Sequence, residues 1–219
     1  MKIGAIMTNC VFCQKDIWNA NVYETENFRV RVGLGIVTPG HCMIIPKKHY
    51  KCIADMPGKL EEEYLKLKQK VYDKVLKGES EPFLVEYGVF GQSVPHAHVH
   101  FIPRFSQGYS EVNAIEEIVL PACAENNLVL EQTDFIGLRR IYKEDGVYVS
   151  FEQSGQLYVV RIKDLSCSKT ETHLSYRNFL TDNKGLKGIT DWQKTTPEEQ
   201  RLDEIRREKT RNMLTFSTS

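Results

Sequence analysis

The chain has 219 residues, with 29 Lys+Arg against 29 Asp+Glu and a formal net charge of zero at pH 7. That length suits one sizeable domain or a domain with a substantial appendage, and the charge balance gives no electrostatic reason to expect a polyanion or an anionic membrane as partner. Met1 to Asn9 has only a few apolar residues before the chain turns polar, too short a run for a secretory segment or a span, so the expected setting is soluble and cytoplasmic.

Six cysteines in a chain of this length do not make a disulfide framework. Cys10-Val11-Phe12-Cys13 has three readings: half of a zinc site, a thioredoxin-like redox pair, or chance spacing. A redox pair normally opens a helix after a strand, and nothing before Cys10 reads as that strand. Cys42, Cys52, Cys123 and Cys167 stand singly among apolar residues and read as reduced and mostly buried.

Val22 to Glu24 and Phe28 to Val32 alternate as antiparallel strands joined around Thr25-Glu26-Asn27, and Cys42 to Ile45 continues as a third. Asp55 reads as the cap of a helix beginning near Met56-Pro57, with Leu60, Tyr64, Leu67, Val71 and Val75 as its apolar stripe and Gly78 as its stop. The opposite face, Lys and Glu, reads as solvated. Phe83 to Tyr87 is then a strand antiparallel to the next one.

That next stretch is Gly91-Gln92-Ser93-Val94-Pro95-His96-Ala97-His98-Val99-His100-Phe101-Ile102-Pro103-Arg104. Its histidines alternate with Ala97, Val99 and Phe101, so a strand presents all three imidazoles outward on one face while the apolar residues point to a core. Imidazole is close to half-neutral at cytosolic pH and can attack phosphorus or carbonyl carbon, carry protons or bind a metal. A three-histidine metal site is a rival reading. Against it, no carboxylate flanks the row, Gly91 permits close backbone approach, and Gln92 and Ser93 offer neutral donors suited to an anion.

The run from Gly91 to His100 resembles the histidine triad (HIT) superfamily of nucleotide hydrolases and nucleotidylyl transferases, whose signature is His-x-His-x-His interleaved with apolar residues. Pro39-Gly40-His41-Cys42-Met43-Ile44-Ile45-Pro46-Lys47-Lys48-His49 looks like a second block of that superfamily, and Cys10 to Cys13 like the opening of its zinc-binding branch. The resemblance covers residues 10 to 105. It implies an α+β fold: a HIT-like antiparallel sheet of about five strands with a packed helix in a catalytic domain over 1–127, followed by a C-terminal α+β extension over 128–219.

The resemblance also implies a chemistry. His98 is the expected nucleophile at the α-phosphorus of a nucleotide phosphoramidate or dinucleoside polyphosphate, forming a nucleotidyl-histidine that water cleaves to a nucleoside monophosphate. His100 is expected to bind a nonbridging oxygen or assist the leaving group, and Gly91, Gln92 and Ser93 to hold the phosphate. Structural zinc is expected on Cys10, Cys13, His49 and His96, and a homodimer with its sheet extended across the two-fold. The alternative is a nucleotide-binding or RNA-associated interaction protein with little catalytic activity.

The chain departs from the superfamily pattern twice. Val32-Gly33-Leu34-Gly35 carries no acid or amide where a ribose-binding Asp or Asn usually lies, and Glu86 stands near the place of a phosphate-side Asn or Gln. His41 and His173 read as ordinary structural or surface histidines.

Beyond the triad, Ser110 reads as the cap of a helix from Glu111 toward Asn126 that Pro121 must kink or end. Phe135 to Tyr142, Val147 to Phe151 and Leu157 to Ile162 read as a three-stranded meander with turns at Glu144-Asp145-Gly146 and Ser154-Gly155. Leu174 to Leu180 reads as helical, and Pro197 opens a charged helix through about Met213. Its sparse apolar side, Leu202, Ile205 and Met213, predicts weak packing or a partner, and its Arg and Lys are nearly cancelled by Glu and Asp, so nucleic acid is not expected. Gly188 to Trp192, with Glu198-Glu199 and Arg206, bears a faint resemblance to the C-terminal region of HIT-like proteins associated with RNA lariat debranching. The other reading is a structural cap or dimer contact.

Overall fold

The computed structural model describes residues 10–14, 20–33, 35–78, 80–89, 91–104, 113–162 and 196–216. The expectations for Ser110, Cys167, His173, the 174–180 helix and the 188–192 segment lie outside them. Eight strands form one antiparallel sheet: β1 (Asn21–Glu24), β2 (Phe28–Arg31), β3 (Cys42–Pro46), β4 (Pro82–Glu86), β5 (Val99–Pro103), β6 (Leu130–Thr133), β7 (Tyr148–Gln153) and β8 (Gln156–Arg161). Their order is β1-β2-β3-β5-β4-β7-β8-β6. The first five are the sheet of about five strands that the resemblance implies; the other three continue it across β4, with Leu84 opposite Glu152 and Glu86 opposite Ser150.

Helix α1 (Glu61–Gly78) covers one face. Its predicted stripe is real: Tyr64, Leu67, Val71 and Val75 are buried against Phe28, Val30, Ile44, Leu84, Val99 and Phe101. The α-helix starts later than predicted, because 3₁₀ turns at Ile53–Asp55 and Gly58–Leu60 precede it. Asp55 accepts instead from the Lys51 amide at 3.1 Å.

On the other face, a π-helical turn (Ile115–Val119) runs into α2 (Leu120–Glu125). Pro121 falls in the first turn of α2, where its missing N–H breaks no α-helical bond. Ile115, Ile118, Val119, Ala122 and Cys123 pack there on Phe83, Val85, Ile102, Val149, Phe151 and Val160.

One predicted strand is a helix. Phe135–Asp145 forms α3, capped by Asp134, whose side chain accepts from the Gly137 amide at 2.7 Å, and closed by Gly146 at φ 76°. Phe135, Leu138 and Ile141 share its buried side, a helical spacing that strand-type residues in the segment obscured. The third strand of the meander is β6, which pairs with β8 rather than with its neighbour in sequence. The Ser154-Gly155 turn stands where predicted, both residues at positive φ, as a two-residue hairpin requires.

The last described helix, α4 (Pro197–Met213), opens on a full capping box between Thr196 and Glu199. It docks mainly by a polar face beside the predicted apolar one, which contributes Met213 against Gly40 and Gly78. Asp203, Arg207, Thr210 and Leu214 are buried, whereas Ile205 is 55% exposed. No helix among the described residues is long and apolar enough to cross a membrane.

The β4–β7 junction joins the two halves through one core, where Phe83 stacks on Phe151 with centroids 5.6 Å apart. Phe151→Ala is therefore expected to cost about 3–5 kcal/mol of global stability. Urea unfolding followed by circular dichroism tests it, and a loss below about 1 kcal/mol would mean that this core does not bind the halves together.

Candidate functional site

The triad straddles the start of β5. Val99 begins the strand, so His96, Ala97 and His98 precede its ladder. The alternation persists because the Ala97 amide donates to the Tyr50 carbonyl at 2.7 Å, which keeps the entry segment tied to the segment that follows β3. Ala97, Val99 and Phe101 enter the core under α1, as expected. The imidazoles are not outward-facing as the alternation suggested. His96, His98 and His100 are 0%, 5% and 7% exposed, covered by neighbours that include Phe12, whose ring centroid lies 5.2 Å from that of His98.

Each ring has a distinct set of partners. His96 Nε2 lies 2.8 Å from the Pro46 carbonyl. A carbonyl can only accept, so Nε2 carries the proton and Nδ1 is left as a lone pair. That Nδ1 lies 3.4 Å from Cys10 Sγ and 3.5 Å from Cys13 Sγ, while His49 Nδ1 lies 3.3 Å from Cys13 Sγ. The ligand atoms of Cys10, Cys13, His49 and His96 all fall within 4.8 Å of one another.

Cys10 and Cys13 close a turn, with the Cys13 amide donating to the Cys10 carbonyl at 3.0 Å, rather than opening a helix as a redox pair would. Arg29 on β2 docks this turn by donating to the Phe12 carbonyl at 3.2 Å.

The four residues fit a tetrahedral metal. Zinc bonds of ordinary length hold sulfur and nitrogen ligands ~3.6 Å apart, and the sulfur–nitrogen separations here are 3.3–3.5 Å. Burial, opposed by the Pro46 carbonyl, lowers His96 to about 4, so its ring is neutral and ready to ligate near pH 7. Burial and the adjacent Cys10 thiol raise Cys13 to about 11, so its thiolate needs a cation to form.

His98 Nδ1 lies 2.7 Å from the carbonyl of His96, two residues back. By the same reasoning Nδ1 carries the proton, and Nε2 has the lone pair. His98 and His100 meet edge to face with centroids 5.0 Å apart.

His100 Nδ1 lies 3.1 Å from His41 Nε2, and His41 is 3% exposed. His41 is thus not a surface histidine: it meets the row from the residue just before β3. Its signal was available, since Pro39-Gly40-His41 leads directly into a strand that pairs with the triad strand.

The loop before the triad is less committed. Gly91 takes φ 74°, which favours glycine; the Gln92 amide group donates to the Lys51 carbonyl at 3.0 Å; Ser93 is exposed.

Neither departure places charge at the triad. At Gly33 a Cβ would stand 2.7 Å from Met43 Cε, so Met43 fills the space a larger residue would need. Val85 is directly opposite His100 and shares its face, so Glu86, one residue on, points the other way. There Glu86 accepts from the Ile53 amide at 2.6 Å and the Tyr148 hydroxyl at 2.6 Å, beside a cavity of about 230 Å³ under α1 and α3.

The HIT domain family model matches residues 14–107. "Protein hit" of Bacillus subtilis (strain 168) is 35% identical over 108 residues, which are 46% of this chain and 74% of that protein. The chain belongs to the HIT family. A bis(5'-nucleosyl)-tetraphosphatase [asymmetrical] of Schizosaccharomyces pombe is 33% identical over 93 residues, 41% of this HIT protein and 51% of the enzyme. A Zn-bound histidine triad family protein from Mycobacterium smegmatis superposes with a TM-score of 0.41 at 25% identity, over 48% of this chain and 81% of that one.

Burial raises Glu86 to about 7 from an ordinary 4.5, against the Tyr148, Ile53 and Ser150 bonds that favour its charged form. A carboxyl with the higher pKa in the folded state binds more protons there. Its stabilising contribution is therefore complete below 4.5 and lost as pH rises through about 7. Wild type should lose on the order of 2–3 kcal/mol relative to Glu86→Gln between pH 5 and pH 8. Urea midpoints across that range check it, and parallel pH profiles for the two proteins would refute it.

Proposed function

We propose that this HIT protein hydrolyses nucleotide phosphoramidates or dinucleoside polyphosphates at the α-phosphorus through a covalent nucleotidyl-histidine. The observation that carries the reading is the 2.7 Å contact of His98 Nδ1 with the His96 carbonyl, which leaves Nε2 as the nucleophilic nitrogen. As the Nε2–phosphorus bond forms, the bond to the leaving group breaks and that group departs with the electron pair and takes up a proton. Water then cleaves the phosphorus–nitrogen bond, releasing a nucleoside monophosphate and restoring neutral His98. The relative from S. pombe, named for splitting a dinucleoside tetraphosphate, supports the substrate class.

His100, hydrogen-bonded to His41, stands beside His98 to bind a nonbridging oxygen or protonate the leaving group. Gln92 and Ser93, in the loop that Gly91 bends, are assigned as donors to the phosphate, which for Gln92 requires exchanging its bond to Lys51.

Zinc is assigned to Cys10, Cys13, His49 and His96. Four protein ligands close its coordination, so it would supply structure and no Lewis-acid chemistry, pinning the N-terminal turn to the triad segment. The five described cysteines are free thiols, in keeping with a cytoplasmic setting. A homodimer built by continuing the sheet would have to use an edge other than that of β4, which β7 already pairs.

His98→Ala is expected to reduce monophosphate release from adenylyl and guanylyl phosphoramidates and dinucleoside polyphosphates by about 10⁴-fold or more, and to remove the labelled protein adduct that wild type forms. Turnover by the wild type without any adduct would sink the covalent route. Absence of product from every substrate would favour a binding protein.

For the metal, protein purified without chelator is expected to carry one zinc per chain and Cys13→Ala none. Elemental analysis decides this, with a fall in thermal midpoint accompanying the loss.

A further inference from the structure

Residues 35–41 cross from β2 to β3 and end on His41, and between those two strands they have no ladder of their own. Buried backbone N–H groups in such a strap need acceptors. Helix α4, which lies beyond the family match, supplies them. Asp203 Oδ1 accepts from the Ile36 amide at 3.0 Å and bonds the Gly35 backbone as well. Thr210 Oγ1 accepts from the Gly40 amide at 2.9 Å and donates to the Arg206 carbonyl at 2.8 Å, so the hydroxyl is fixed from both sides. Arg206 Nη1 reaches the Ile36 carbonyl at 3.4 Å.

Thr210 is 0% exposed and Asp203 6% exposed. Gly40 takes φ 88°, and a Cβ there would meet Pro103, Met213 and Val75, so the strap is pressed between β5, α1 and α4. The next residue is His41, whose Nε2 lies 3.1 Å from His100 Nδ1.

We infer that Asp203 and Thr210 are positioning residues of the triad: through the Ile36 and Gly40 amides they hold the strap in the one path that aims His41 at His100. The inference rests on the reading of His98 and His100 as the reacting pair, and it gives the C-terminal helix a part in turnover. Neither side chain reaches His41 or the triad itself; each acts through the backbone. Thr210 controls the residue adjacent to His41, and Asp203 fixes the strap's far end.

The experiment compares Thr210→Val with Thr210→Ser, and Asp203→Ala with Asp203→Asn, in the full chain. Valine keeps the shape and loses the acceptor; serine and asparagine keep an acceptor oxygen. Thr210→Val and Asp203→Ala are expected to lower kcat by about 10- to 100-fold with KM within about 3-fold of wild type, and the conservative partners to recover most of it.

Imidazole ¹⁵N resonances give a second readout that needs no substrate. In Thr210→Val the His41 and His100 signals should move while the His98 Nδ1–H signature stays, and Thr210→Ser should restore them. Unmoved His41 and His100 signals in Thr210→Val would overturn the inference, as would equal loss of kcat in the valine and serine variants. Should wild type turn over none of the substrates, the function proposed above fails and the resonances alone decide the positioning role.

Discussion

A backbone carbonyl accepts hydrogen bonds and never donates them, and that asymmetry sorts the histidines of this protein. The Pro46 carbonyl takes the Nε2 proton of His96 and turns its Nδ1 to the cysteines. The His96 carbonyl takes the Nδ1 proton of His98 and leaves Nε2 with the lone pair. Two chemically identical rings, two residues apart, thereby present opposite nitrogens, one suited to a metal and the other to phosphorus. No charged side chain is needed for the assignment. Both acceptors belong to backbone held in place, the first at the end of β3 and the second in the segment tied to Tyr50.

Much of this was legible in the sequence because it rests on periodicity. The alternation of Ala97, Val99 and Phe101 placed the core beneath the triad, and the α1 stripe read correctly from Tyr64 to Val75. What escaped has a common physical cause: it depends on polar side chains meeting partners from distant parts of the chain. The α4 docking face, Asp203, Arg207, Thr210 and Leu214, has perfect helical spacing but little hydrophobicity. A search for apolar stripes selects Leu202, Ile205 and Met213 instead. His41 was passed over because its partner lies 59 residues away. Residues 135–145 misled in the opposite sense, since β-prone Phe, Ile and Tyr there outweighed the Asp134 cap and the Gly146 stop in a local reading.

Glu86 illustrates how a residue type can be worrying in sequence and harmless in place. One step along an antiparallel strand reverses the face, so the carboxylate next in line to Val85 serves the opposite layer. There it ties the Ile53 turn to Tyr148 of β7. Tyr50 and Lys51, just before that turn, in turn hold Ala97 and Gln92. The C-terminal region thus reaches the triad's supports by two routes: β7 through Glu86 and the 50–53 segment, and α4 through the strap that ends on His41.

Continuing the sheet through β7 also moves one of its open borders. Without the last hairpin, β4 would be the rim of the sheet, and Phe83 and Val85 would lose Val149 and Phe151 from their core. As built, the outermost strands among the described residues are β1 and β6, each four residues long, and the pairing of β1 is interrupted by a register shift between Asn21 and Tyr23. Short, irregular rims are poor templates for stacking one molecule on the next. The C-terminal strands therefore replace the β4 rim, which invites end-to-end pairing of molecules, by the short β6 rim, which discourages it, while β1 stays the other edge.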